Sequence, residues 1–328
     1  MLWTVPSYKA QLCEPSYVNI RTLGWAGLAP GGGKFGCSGL LALVTALYRG
    51  IGILAFAGWR LTGNDAWVES FFKTPGALLL VFLAGAQLGF SLLVLKHFSP
   101  GESMQPAWLF ITASAAFDFA GAIFIQILGM DSNLNPLRYG SSWSPSVAAT
   151  MRDYGLLLGG TCRFSLLAMG LWVALKAYRK IGLLVRLKAV DWLVLAAMGA
   201  FVASEMYQIV AAVQRGKPMS FTDIAAWPVD VFLWLLLGEA LLLYRSAAEM
   251  GSGYIGRCWK ALAAGVFLVS LGVVTMWAAN WGYLPWPWSS VVWYIWLPAA
   301  TAFALGPAYQ LEAIQQVYAA PDRGPSNA

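Results

Sequence analysis

Apolar residues in this chain come in eight runs of about twenty, separated by shorter stretches that are polar or rich in proline, glycine and tryptophan. The runs cover 38–59, 76–95, 107–129, 154–175, 192–213, 224–244, 259–280 and 288–309. At about 1.5 Å of rise per residue, ~20 helical residues cross the ~30 Å hydrocarbon core of a bilayer. Lipid offers the backbone no hydrogen-bonding partner, so each run is expected to close its own bonds as a helix. The pattern predicts an all-α polytopic integral membrane helix bundle of about eight transmembrane helices. Residues 1–37 precede it as a flexible segment containing the glycine-rich GLAPGGGKFG, and 310–328 follow as a short tail.

The chain is 59% hydrophobic and 11% charged. Soluble domains usually carry about 25% charged residues, so too few polar groups are present to cover a soluble surface. The net charge of +6 is explained by cations on the cytoplasmic side of a membrane protein, without nucleic acid as a partner. Five cations (Lys176, Arg179, Lys180, Arg186 and Lys188) occupy the stretch between the fourth and fifth runs and mark it as cytoplasmic. With that loop inside, thirteen of the 21 Lys and Arg fall on the cytoplasmic side, six fall outside, and Arg49 and Arg163 lie within spans. Both termini are then cytoplasmic. Spans with no signal peptide suit a multi-pass protein of a bacterial inner membrane, with the lipid bilayer as its first partner.

No cofactor or metal is expected. Cys13, Cys37, Cys162 and Cys258 lack metal-ligand spacing, and His97 is the single histidine. Catalysis has little support, because GxSxG, HExxH and a paired acidic metal motif are all missing. The segment Gly36-Cys37-Ser38-Gly39 resembles the serine motif of rhomboid proteases, which would require contact between Ser38 and His97.

Charge inside the spans is the candidate chemistry. The residues are Arg49, Asp118, Arg163, Glu205, Asp230 and Glu239. Arg49, Asp118 and Arg163 lie about eleven or twelve residues from the cytoplasmic ends of their spans, hence near mid-bilayer. An unpaired charge there costs on the order of 3 kcal/mol on insertion scales, so pairing is expected. Depth allows Asp118–Arg163 and Arg49–Glu205. Two readings follow: a polar site for an ion, proton or head group, or structural ion pairs that fix the packing. Pro298 should free a backbone carbonyl near the centre of the eighth span and kink it. Small residues in the fifth span (Ala196, Ala197, Gly199, Ala200, Ala203) and the seventh (Ala261, Ala264, Gly265, Gly272) suit close helix packing. A weak repeat is also visible: Trp108, Trp192 and Trp259 each open a span, and Asp118, Ser204 with Glu205, and Ser270 follow ten to thirteen positions later.

The stretch Ala226-Trp227-Pro228-Val229-Asp230 through Leu237-Gly238-Glu239, closed by Tyr244-Arg245, resembles the eight-helix membrane regions that precede bacterial signalling domains. The likeness covers about twenty residues. It implies a sensor, but the residues after the eighth span leave no room for a kinase or cyclase domain, so the output is expected to pass through a separate protein. Three functions are therefore considered. The first is a membrane-embedded sensor or interaction subunit without its own output domain, with a signalling or membrane protein as partner. The second is a small-solute or ion transporter with Arg49, Asp118, Arg163 and Glu205 along its path. The third is a lipid-modifying enzyme.

Overall fold

A run of twenty apolar residues folds as one helix because nothing in it competes for the backbone. The computed structural model accordingly consists of long helices, with no strand among the described residues. Those residues are 36–71, 76–127, 159–216, 221–249, 253–280, 283–284, 288 and 291–319. Residues 1–35, 128–158 and those after 319 lie outside them.

The helices are α1 (Cys37–Thr62), α2 (Ala66–Phe71), α3 (Ala77–Lys96), α4 (Gln105–Ile127), α5 (Thr161–Lys180), α6 (Ala189–Gln214), α7 (Phe221–Glu249), α8 (Tyr254–Asn280) and α9 (Val291–Ala319). Six of them, α1, α3, α4, α6, α7 and α8, are long and apolar enough to cross a membrane. The other two long helices, α5 and α9, correspond to the fourth and eighth runs. Arg163, Lys176, Arg179 and Lys180 make α5 the least apolar of the set.

Helix neighbours follow a closed order. α3 packs on α4, α4 on α5, α5 on α7, α7 on α8, α8 on α9, and α9 returns to α3. Aromatic side chains meet inside the ring. Trp108 of α4 lies 6.2 Å from Trp259 of α8, and the Trp259 indole N–H donates to the Tyr178 hydroxyl of α5. All three side chains are buried. α8 and α9 approach most closely where glycines face rings: a Cβ on Gly265 would meet Phe303, and one on Gly272 would overlap Trp296. The glycines of the seventh span thus serve packing, as their spacing predicts.

The remaining two long helices stand outside the ring. α1 lies along α9, with the short α2 folded against it so that Phe71 fills the space beside Gly52. α6 lies along α7 and reaches α8 through an edge contact between Phe201 and Trp277. Both lateral helices turn large apolar side chains outward, among them Leu47, Ile53 and Leu54 on α1 and Leu193, Tyr207 and Val213 on α6. Here one expectation needs correcting. Of the small residues in α6, Gly199 faces the Trp234 ring, but Ala196, Ala197, Ala200 and Ala203 are exposed on the outer side. Small size marks a close approach only when a neighbour stands on that side, and α6 has its extended neighbour on one side.

The tryptophan repeat divides in the same way. Trp108 and Trp259 are core residues, whereas Trp192 on the lateral α6 is 62% exposed. α9 runs as one helix through Pro298 and Pro307, and it continues past position 309 to Ala319.

Candidate functional site

The centre of the ring holds an ion pair. α4 and α5 run antiparallel and touch closely, because Gly170 leaves room against Ala107 and Ile111. Further along the same seam Ser114 donates its hydroxyl to the Arg163 carbonyl at 2.8 Å. That fixes the backbone from which the Arg163 guanidinium reaches Asp118, at 2.7 Å. The pair is largely buried, with side-chain exposures of 23% and 16%. The guanidinium also lies 5.5 Å from the ring centroid of Phe303 on α9 and 5.2 Å from that of Phe164. Aromatic faces attract a cation and add to its neutralisation where water is scarce. The geometry is a three-helix tie among α4, α5 and α9.

A second polar site lies on the seam between α6 and α7. Glu205 and Asp230 are hydrogen-bonded to one another through their side chains. Two carboxylates repel, so such a bond exists only with a proton between them. Asp230 is 5% exposed, and one Glu205 oxygen is buried without a hydrogen-bonding partner among the described residues. Two indoles of α7 brace the seam: Trp227 donates to the Val202 carbonyl at 3.3 Å and Trp234 to the Leu195 carbonyl at 2.9 Å. At the basic end, Arg245 grips Asp191 with two hydrogen bonds of 2.8 and 2.7 Å, and Asp191 also accepts from the Lys188 backbone N–H. Val185 of the basic loop donates to Ser246 of α7. Polar bonds therefore tie α6 to α7 from Asp191 to Glu205.

The expected Arg49–Glu205 pair is not formed. Arg49 is exposed on α1, beside α9, while Glu205 sits on α6, beside α7. Equal depth puts two charges at one level but says nothing about their bearing around the bundle. Among the described residues no acid pairs with Arg49. Glu239 is on α7, with one buried oxygen that has no hydrogen-bonding partner among those residues. The six candidate charges are thus dispersed over a central pair, a lateral pair, one acid with an unpartnered buried oxygen and one exposed cation.

Sequence reasoning missed Glu312. It lies on α9 beyond the apolar run, is 8% exposed, and accepts from the Ser38 backbone N–H at 2.8 Å and the Ser38 hydroxyl at 2.9 Å. The first backbone N–H groups of a helix lack partners within it, so this carboxylate caps α1 from a distant part of the chain. The available signal was the apolar period of α9, which continues through Ala304, Ala308 and Leu311. Ser38 is thereby committed to Glu312, and His97 Nδ1 lies 2.7 Å from the Leu93 carbonyl. The rhomboid-like arrangement of Ser38 and His97 finds no support in these bonds.

Chemically, the central pair can hold three helices together, and the lateral pair can bind and release a proton. No protein-family model matches this chain, and no curated protein or solved structure matches it significantly, so the reading of these sites rests on their geometry.

Proposed function

We propose that this chain is a membrane-embedded sensor or interaction subunit of a bacterial inner membrane, with both ends in the cytoplasm, that passes its state to a separate protein. The observation that carries this reading is the attachment of α6. A lateral helix with a lipid-facing side is joined to the ring across a carboxyl pair that needs a proton to stay bonded. With the proton present, the seam is closed. Without it, two carboxylates face one another in a medium of low dielectric, and α6 is driven from α7. The Asp191–Arg245 grip keeps the basic end in place, so the opposite end moves. Such a helix can report a change of proton availability to a neighbouring membrane protein. The dispersion of the six charges supports this reading over a permease, which would gather them along one path.

The test is a distance between labels at Val213 on α6 and Ile224 on α7, both exposed, measured by pulsed electron resonance in lipid nanodiscs. The distance should lengthen and broaden as pH rises, and the doubly neutral Glu205→Gln, Asp230→Asn protein should lose that response. A distance independent of pH would remove the switch. Solute or proton flux through the purified protein in liposomes would replace the sensor with a transporter.

A further inference from the structure

We infer that α3 and α4 enclose a file of bound water that leads from the Asp118–Arg163 pair toward the basic end of the bundle. Four buried polar groups on these two helices have no hydrogen-bonding partner among the described residues: Gln87 Oε1, Ser91 Oγ, Trp108 Nε1 and Thr112 Oγ1. Gln87, Ser91 and Thr112 are 2%, 0% and 6% exposed, and Trp108 is 0% exposed. On α3, Leu83, Gln87, Ser91 and Val94 form one buried stripe at helical spacing. On α4, Trp108, Thr112 and Ala115 form another.

The register of the two helices brings these groups together. A Cβ on Gly85 would touch the ring of Phe119, so positions 85 and 119 are opposite. The helices run antiparallel, which sets Ser91 level with Thr112 and Gln87 level with Asp118. Trp108 comes one turn further toward the basic end. From the level of Gln87 to Trp108 the file covers about 14 Å at 1.5 Å per residue.

Serine and threonine in an apolar helix usually satisfy themselves by bonding the carbonyl four residues back. Thr45, Ser246, Ser270 and Thr301 all do so here, at 2.8 to 3.0 Å. Ser91 and Thr112 do not, so their hydroxyls are turned away from their own backbone toward another partner. The chemistry of the file defines that partner. The Trp108 indole can only donate, the Gln87 carbonyl oxygen can only accept, and the two hydroxyls between them do both. Water is the smallest molecule that accepts from the first, donates to the last and bridges the hydroxyls, and a polar interior site with several such groups is where buried water binds.

The experiment is hydroxyl-radical labelling by synchrotron X-rays on the full chain in nanodiscs, where radicals form from water in place. Trp108 should be oxidised within about tenfold of the rate of Trp192, which is 62% exposed. Trp108 left unmodified while Trp192 reacts would overturn the proposal. The variants Ser91→Ala and Thr112→Val give an independent reading. Loss of a water partner should slow labelling of Trp108 severalfold and lower the melting temperature by about 2 °C or more. A dry site would instead gain stability from the same changes, and a raised melting temperature counts against the file.

Discussion

Arg163 lies between an acid and a ring: its guanidinium is 2.7 Å from the Asp118 carboxylate on α4, with Phe303 of α9 5.5 Å away on another side. Removing one partner leaves the other charged and buried. Asp118→Ala should cost about 3–5 kcal/mol, and Arg163→Ala a similar amount. The double variant should recover part of the loss, because no charge is then stranded. Thermal melts of the four proteins in detergent measure the coupling, and simply additive losses would contradict the pair.

For the α6–α7 seam the sign is fixed by the proton. Two carboxyl groups can hydrogen-bond only through a proton, so the Glu205–Asp230 bond should be lost wherever both are ionised. Glu205→Gln keeps a hydrogen-bond donor without the charge, so this variant should remain closed at high pH. Hydrogen exchange across 202–214 at several pH values checks it: protection in the wild type should fall with rising pH, and in Glu205→Gln it should stay constant.

The cap on α1 predicts a local opening rather than global unfolding. Glu312→Ala removes the acceptor for both the Ser38 N–H and hydroxyl. Hydrogen bonds to a charged group contribute about 1.5–3 kcal/mol each, so the start of α1 should open at least tenfold more often. Cys37, buried at 7% exposure beside this cap, is the reporter. Its reaction with a maleimide should speed up by about tenfold or more while the melting temperature of the ring changes little.

Close packing of α8 on α9 predicts a sharper loss. A Cβ at Gly272 would overlap the Trp296 indole, so Gly272→Ala must push that ring aside. Overpacking of this kind costs about 1–3 kcal/mol. Gly89, which has open space at its Cβ position, serves as the control, and Gly89→Ala should be neutral or slightly stabilising in the same melts.

What could be read in advance follows from what each cue measures. Apolar length reports whether a segment crosses a bilayer, and the long helices stand where the runs lie. Depth reports level, which was enough for Asp118 and Arg163 because α4 and α5 are also neighbours. It failed for Arg49 and Glu205, whose helices hang from different members of the ring. The bond between Glu205 and Asp230 has no cue of this kind, since charge suggests pairs of opposite sign and a shared proton does not show in a sequence. Hydropathy falls after Tyr309 and places Glu312 in the tail, although a helix stays a helix when its apolar content drops. The unpartnered hydroxyls of Ser91 and Thr112 depend on side-chain rotation, which no residue pattern records.

The contact of α9 with α3 has a consequence for biogenesis. Helices enter the membrane in the order of synthesis, and the ring cannot close until α9 arrives to meet α3. α3 must therefore wait in lipid with one flank uncovered while the helices from α5 to α8 are inserted. α1 waits as long, for its cap and its extended neighbour both belong to α9. α1 is made before every member of the ring and is among the last helices to be seated, and a ribosome stalled before α9 would leave an open arc of helices for quality-control proteases to recognise.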